Sequence, residues 1–230
     1  MFITKRHVDG QEEQITNTSN INGQLSKRLM LDQLKEKLTR FDLNEDQLEI
    51  LNELSDLFAE QIELFDEVVL GMINQTKEMV IGRFKLTFNS QKLVTINRVT
   101  LMAEIFNQFL NEINIWLTEI YPVGSVVEIK PAVINGDETL PFSERLCVIM
   151  GQRVAFEDGT FVDYIAYPWP DGVGLEIDPI YLCNSFINQL VFEGYKTEDW
   201  DDFLETELRK PFSTYEYRSF SIPRNLGTEQ

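Results

Sequence analysis

The sequence predicts an α+β protein. A helical N-terminal half, a helical hairpin or small bundle, carries a small, mostly antiparallel β domain in the C-terminal half. Three observations lead there. Apolar residues recur at steps of three, four or seven through Leu51, Leu54, Phe58, Phe65, Val68 and Met72, and again through Val99, Met102, Phe106, Phe109, Ile113, Trp116 and Ile120. The stretch YPVGSVVEIK, Tyr121 to Lys130, stops that periodicity with Pro122 and Gly124. Beyond it come short alternating runs separated by Gly, Pro and Asp, the pattern of strands and turns.

The elements follow in order. Residues 1–24 are polar, with Asn17, Thr18, Ser19, Asn20, Asn22 and Gly23 close together, and read as a flexible arm. Leu31, Leu34, Leu38 and Phe41 place a short helix at about 25–40. Asn44, with Glu45, Asp46 and Gln47, forms a capping-box start for a second helix running to Met72. Residues 80–98 stay open between a strand, because Arg83–Phe88 alternates, and a continued helix. The Val99–Ile120 stripe predicts one continuous helix ending at the Pro122 break, and completes a helical domain over 25–120. Ser125–Lys130 and Glu144–Val154 read as strands, and Asp158-Gly159 as the turn of a hairpin reaching Ile165. Pro168, Pro170, Gly172 and Gly174 make a loop around Trp169. Asn184–Gly194 is helix or strand, and Glu198–Leu208 an acidic helix closing an α+β domain over 121–212; a tail occupies 213–230.

Composition narrows the function classes. The chain has 230 residues, 43% hydrophobic and 25% charged, which is globular. Its 20 Lys+Arg against 38 Asp+Glu give a formal −18, a surface that repels phosphate backbones and anionic membranes. Nucleic acid is therefore not an expected partner; the acidity would suit a basic protein, although such a charge most often serves solubility alone. No run of about eighteen apolar residues and no signal-peptide core appear, so a cytoplasmic protein without a membrane span is expected. Cys147 and Cys183 sit among apolar neighbours and read as reduced, buried thiols.

The chemistry-bearing motifs are few. His7 is the one histidine, and it lies in the arm, so Ser-His-Asp and Cys-His mechanisms have no base. No phosphate-binding glycine loop and no zinc helix occur, and no cofactor or metal is expected. Asp42, Asn44, Asp46 and Glu53 fall at ligand positions of an EF-hand loop, but Gln47 replaces the turn glycine, and an acidic first helical turn explains them better. Asp163, Glu176 and Asp178, near Tyr164, Tyr167 and Trp169, offer a carboxylate and aromatic set for carbohydrate chemistry.

Four segments occur in order: Tyr121 to Lys130, Arg145-Leu-Cys-Val-Ile-Met-Gly-Gln-Arg153, Asp163-Tyr with Tyr167-Pro-Trp-Pro-Asp-Gly172, and Val191-Phe-Glu-Gly-Tyr195. Together they resemble a small family of unknown-function domains in Gram-positive bacteria, which open on a P-[IV]-G-S-V-V-x-L-K strand. The resemblance spans about 121–208. It implies a gene setting near type VII secretion loci with LXG toxins, and supplies no catalytic residues. Residues 131–144 form a longer insertion than the family pattern has.

The expected function is a non-catalytic protein-binding accessory factor, a cytoplasmic chaperone or targeting factor for a type VII secreted toxin. An immunity protein and a carbohydrate-acting enzyme are the alternatives. The partner would be the toxin or its helical leader, or a second copy in a homodimer. The expected binding residues are Val99, Met102, Phe106, Phe109, Ile113 and Trp116 on the helical stripe, with Trp169 on the aromatic loop.

Overall fold

The computed structural model describes residues 26–89, 92–131, 142–174 and 176–223; the arm, most of the 131–144 insertion and the end of the tail lie outside these. Helix α1 covers 26–38. The Asn44 capping box forms as the sequence predicts: Asn44 accepts from the Gln47 N–H, Gln47 returns the bond, and α2 runs Glu45–Glu60. Because the helix starts there, Asp46 and Glu53 sit on helical turns, not in a metal loop. The stripe expected as one helix to Met72 breaks at Gln61, which leaves helical backbone (φ −137°, ψ 79°) while its N–H still reaches Leu57 O. Helix α3, Glu63–Ile73, follows.

Residues 78–102 settle the ambiguous stretch as four antiparallel strands: β1 Glu78–Ile81, β2 Phe84–Asn89, β3 Leu93–Ile96 and β4 Val99–Met102. The tight turns use residues that tolerate positive φ, namely Gly82 and Asn97, the latter also accepting from the Lys85 N–H. Val99 and Met102, expected as the first turns of the long helix, instead pair with Ile96 and Leu93. Three residues apart, they point to opposite faces of the strand, with Leu101 the buried residue, and pairing with β3 satisfies backbone groups that a helix start would leave orphaned.

Helix α4, Ala103–Leu117, is the central element. Residues 109–116 are buried without interruption. One side packs on α2 and the meander, with Phe109 6.3 Å from Phe58 and Phe106 6.3 Å from Phe88. The other side is polar and faces the end of the chain: Asn111 donates to Tyr217 O and accepts from the Ser219 N–H, and Glu112 accepts from Ser213 Oγ and Trp116 Nε1. Residues 213–222, read as part of a tail, are thus packed on the molecule's central helix. α4 ends at Leu117, before Pro122. Arg209 donates to Ile115 O, Trp116 O and Thr118 O, and Thr118 Oγ1 bonds back to Asn114 O, so the orphan carbonyls are capped by side chains.

The C-terminal half holds a six-stranded sheet: β5 Val126–Ile129, β6 Leu146–Ala155, β7 Thr160–Pro168, β8 Ile180–Leu182, β9 Ile187–Phe192 and β10 Arg218–Ser219. The order is β10-β7-β6-β5-β9, with β8 beside β7, antiparallel except for β10 against β7. The Asp158-Gly159 hairpin forms, with Gly159 at φ 77°. A last helix, α5, spans 200–214 with a π-wound middle at Leu204–Arg209, which aims Arg209 at the α4 terminus. The α+β expectation holds, with a four-stranded meander built into the helical half.

Candidate protein-binding surface

The six-stranded sheet has two different faces, and the register defines both. Val127, Ile129, Cys147, Ile149, Tyr164, Ala166, Leu182 and Ile187 pack on Leu204 of α5 as an apolar core. Alternation then puts Val126, Leu146, Val148, Ile165, Tyr167 and Tyr181 on the opposite face. At the β6 bulge between Ile149 and Gly151, Met150 stays on that outer face. Phe192, directly opposite Val126, joins it. None of the named outer residues belongs to either apolar core. Most are only half-buried, and Met150, Tyr181 (51% exposed) and Phe192 (62%) stand in solvent. Phe156 extends the patch, its ring edge-on to Tyr181 at 5.7 Å.

One charged residue sits among them. Glu128 Oε1 accepts from Arg145 Nε (3.0 Å) and Nη2 (2.6 Å), and Oε2 from Asn188 Nδ2 (2.7 Å) and Gln189 Nε2 (2.8 Å). These bonds, the one from Asn188 first, hold its carboxyl below the usual value despite burial. Four donor atoms on one carboxylate fasten β9 and the turn leading into β6 to β5, and pair the Glu128 charge within the apolar patch.

The sequence-predicted site residues separate. Phe106, Phe109 and Ile113 are fully buried, and Trp116 nearly so, in the core shared by α2, the meander and α4. They hold the fold together from within the chain's own core, where the sequence predicts an interface. Over Phe109–Trp116 the helix α4 is packed on all sides, so its apolar seam finds partners within the chain. Val99 is half-buried in β4 and Met102 is 55% exposed beside it. Trp169 is 47% exposed just past β7, where its N–H donates to Leu146 O, and it borders the outer face. Met102 and Trp169 lie on different sheets. The residues that sequence reasoning missed, Met150, Phe156, Tyr181 and Phe192, become visible only once strand register separates the two faces.

Asp163, the candidate acid-base group, is 1% exposed. Its Oδ1 stands 3.3 Å from Arg153 Nη1 as an ion pair, and its Oδ2 accepts from the Asn184 N–H. Arg153 Nη2 donates to Asn114 O and Thr118 Oγ1, tying the sheet to the end of α4. Tyr164 is buried there too, within 3.1 Å of Glu119 O and Asn184 Oδ1. This junction is closed to substrate, while Glu176 and Asp178 are exposed on the following loop. Asp66 on α3 is half-buried beside it, and burial lifts its carboxyl to about 6 against the pull of Lys130. Burial raises the Cys147 thiol to about 11 and moves Cys183 in the same direction, so both stay protonated near neutrality. A groove of about 220 Å³ between α1 and α5, lined by Leu29, Met30, Trp116, Asp201, Asp202 and Glu205, is smaller than the roughly 300–1,000 Å³ of ordinary ligand pockets. Among the described residues no His, Cys, Asp and Glu group is placed to hold a metal, and no helix is long and apolar enough to cross a membrane.

A family model matches residues 120–203, a domain of unknown function (DUF4176). That interval contains the whole outer face: β5 to β9, Met150, Phe156, Trp169, Tyr181 and Phe192. No curated protein and no solved structure matches the chain.

Proposed function

We propose that this chain is a non-catalytic accessory factor that binds a protein through the outer face of its C-terminal sheet. The observation that carries the reading is a face that none of the described residues covers, an apolar and aromatic patch rimmed by polar groups. Aromatic side chains and Met are enriched at protein interfaces, and isolated surface apolar residues do not cluster this way by default. The resemblance of residues 121–208 supports a finer form: a cytoplasmic chaperone or targeting factor for a type VII secreted toxin, engaging the toxin's helical leader. The formal −18 favours one second reading, an immunity protein that covers a basic toxic domain.

The test is capture from native lysate by the tagged full chain in high salt, with the captured chain identified and divided. High salt screens the −18 and leaves apolar contacts. Binding to the partner's N-terminal leader is expected; binding to its C-terminal domain alone would favour the immunity reading. Failure to retain any specific chain in high salt would overturn the protein-binding reading.

A further inference from the structure

The open edge of β9 adjoins this face, and we infer that it receives an extended, cationic segment of the partner as a seventh strand. The inference rests on the protein-binding reading and specifies how the partner is held. β9 ends the path β10-β7-β6-β5-β9. Its inner side pairs with β5, and among the described residues no strand pairs with its outer side. Edge strands of monomers are usually blunted by Lys, Pro or a covering element. Ile187–Phe192, INQLVF, has no charge and no proline. Asn188, Gln189, Val191 and Phe192 are exposed along it. Such an edge offers a row of backbone donors and acceptors, and strand addition is a recurrent way of binding a peptide there.

Charge selects the occupant. From Glu193 to Asp202 the chain carries Glu193, Glu198, Asp199, Asp201 and Asp202 against Lys196 alone. A second copy of this chain would bring the same acids and another −18 to the edge, so self-pairing is opposed. A segment alternating basic and apolar residues meets the acidic stretch with its charges. It lays its apolar side chains beside Phe192, on the outer face.

The experiment uses the full chain and a short synthetic peptide alternating Lys and Val, beside two controls: the same peptide N-methylated at every second residue, and a Glu–Val analogue. Binding is followed by anisotropy, and amide hydrogen exchange is read at residues 187–192. The Lys–Val peptide is expected to bind and to slow exchange in β9, with N-methylation weakening it roughly tenfold or more because the ladder bonds are lost. The Glu–Val peptide is expected not to bind. Equal binding of the N-methylated or Glu–Val peptide, unchanged exchange at 187–192, or no binding of the Lys–Val peptide would each overturn the edge proposal. A dimer of the free chain with β9 already protected would overturn the cationic occupant. The protein-binding reading fails separately: a partner retained in high salt without β9 protection sinks the edge and leaves that reading standing.

Discussion

Asp163 and Arg153 show how a single buried pair ties the two halves together. Both side chains are buried, and each also bonds backbone from another element: Asn184 N–H for the carboxylate, Asn114 O for the guanidinium. Removing one charge leaves the other unpaired in a dry site, so Asp163→Asn is expected to cost about 3–5 kcal/mol of stability, read as a lowered urea midpoint. A variant as stable as the parent would remove the pair from the account. Asp66 gives a pH dependence. The unfolded chain releases this proton near 3.8, whereas the folded chain keeps it to about 6. Stability from protonated Asp66 is therefore complete below the lower value and lost as pH rises through the higher one. Asp66→Asn is expected to raise stability by about 1–2 kcal/mol at neutral pH and to change it little near pH 4. Denaturation at the two pH values checks this, and a gain confined to the acid side would refute it.

At the scale of elements, α4 decides most of the architecture. Phe106→Ser and Phe109→Ser each remove an aromatic from a close-packed core, at about 3–5 kcal/mol apiece, against total stabilities of about 5–15 kcal/mol. The double variant is expected to lose its helical circular dichroism; a double variant that keeps its fold would show that these rings are not essential to the core. The sequence carried much of this. The Asn44 capping box, the Asp158-Gly159 hairpin and the switch to strands after Tyr121 were legible because each depends on neighbours in the chain. The break at Gln61 was not, since no glycine or proline marks it. The Val99–Met102 strand was hidden because Val99 and Met102 continue the three-four spacing of Phe106 and Phe109, and pairing with Leu93–Ile96 overrode it. The outer face was illegible for a related reason. Met150, Phe156, Tyr181 and Phe192 are scattered through the sequence, and only the register, including the β6 bulge, brings them to one side. A helical stripe announces its own periodicity, but a sheet face is assembled from separate strands.

For the whole molecule, the larger core includes Phe161, Phe212 and Ile222 beside Leu51, Phe58 and Phe109, so it crosses the boundary expected near residue 120. With Arg209 and Arg153 also bonded to the end of α4, the halves are expected to unfold in a single transition. Limited proteolysis is expected to leave the segment between Ile115 and Ser125 uncut, and early cleavage there would contradict the coupling. The C-terminal sheet turns an apolar patch outward, and the account stands or falls on whether that patch is where a partner sits. The most direct measurement replaces Phe156 and Tyr181 with Ser and compares the affinity of the full-length variant and parent for the captured partner in high salt. Both positions lie outside the two cores, so the thermal midpoint is expected to stay close to the parent's. Affinity is expected to fall by roughly tenfold or more, about 1.4 kcal/mol, as two interface aromatics are lost. A stable variant that binds its partner as tightly as the parent would contradict the account.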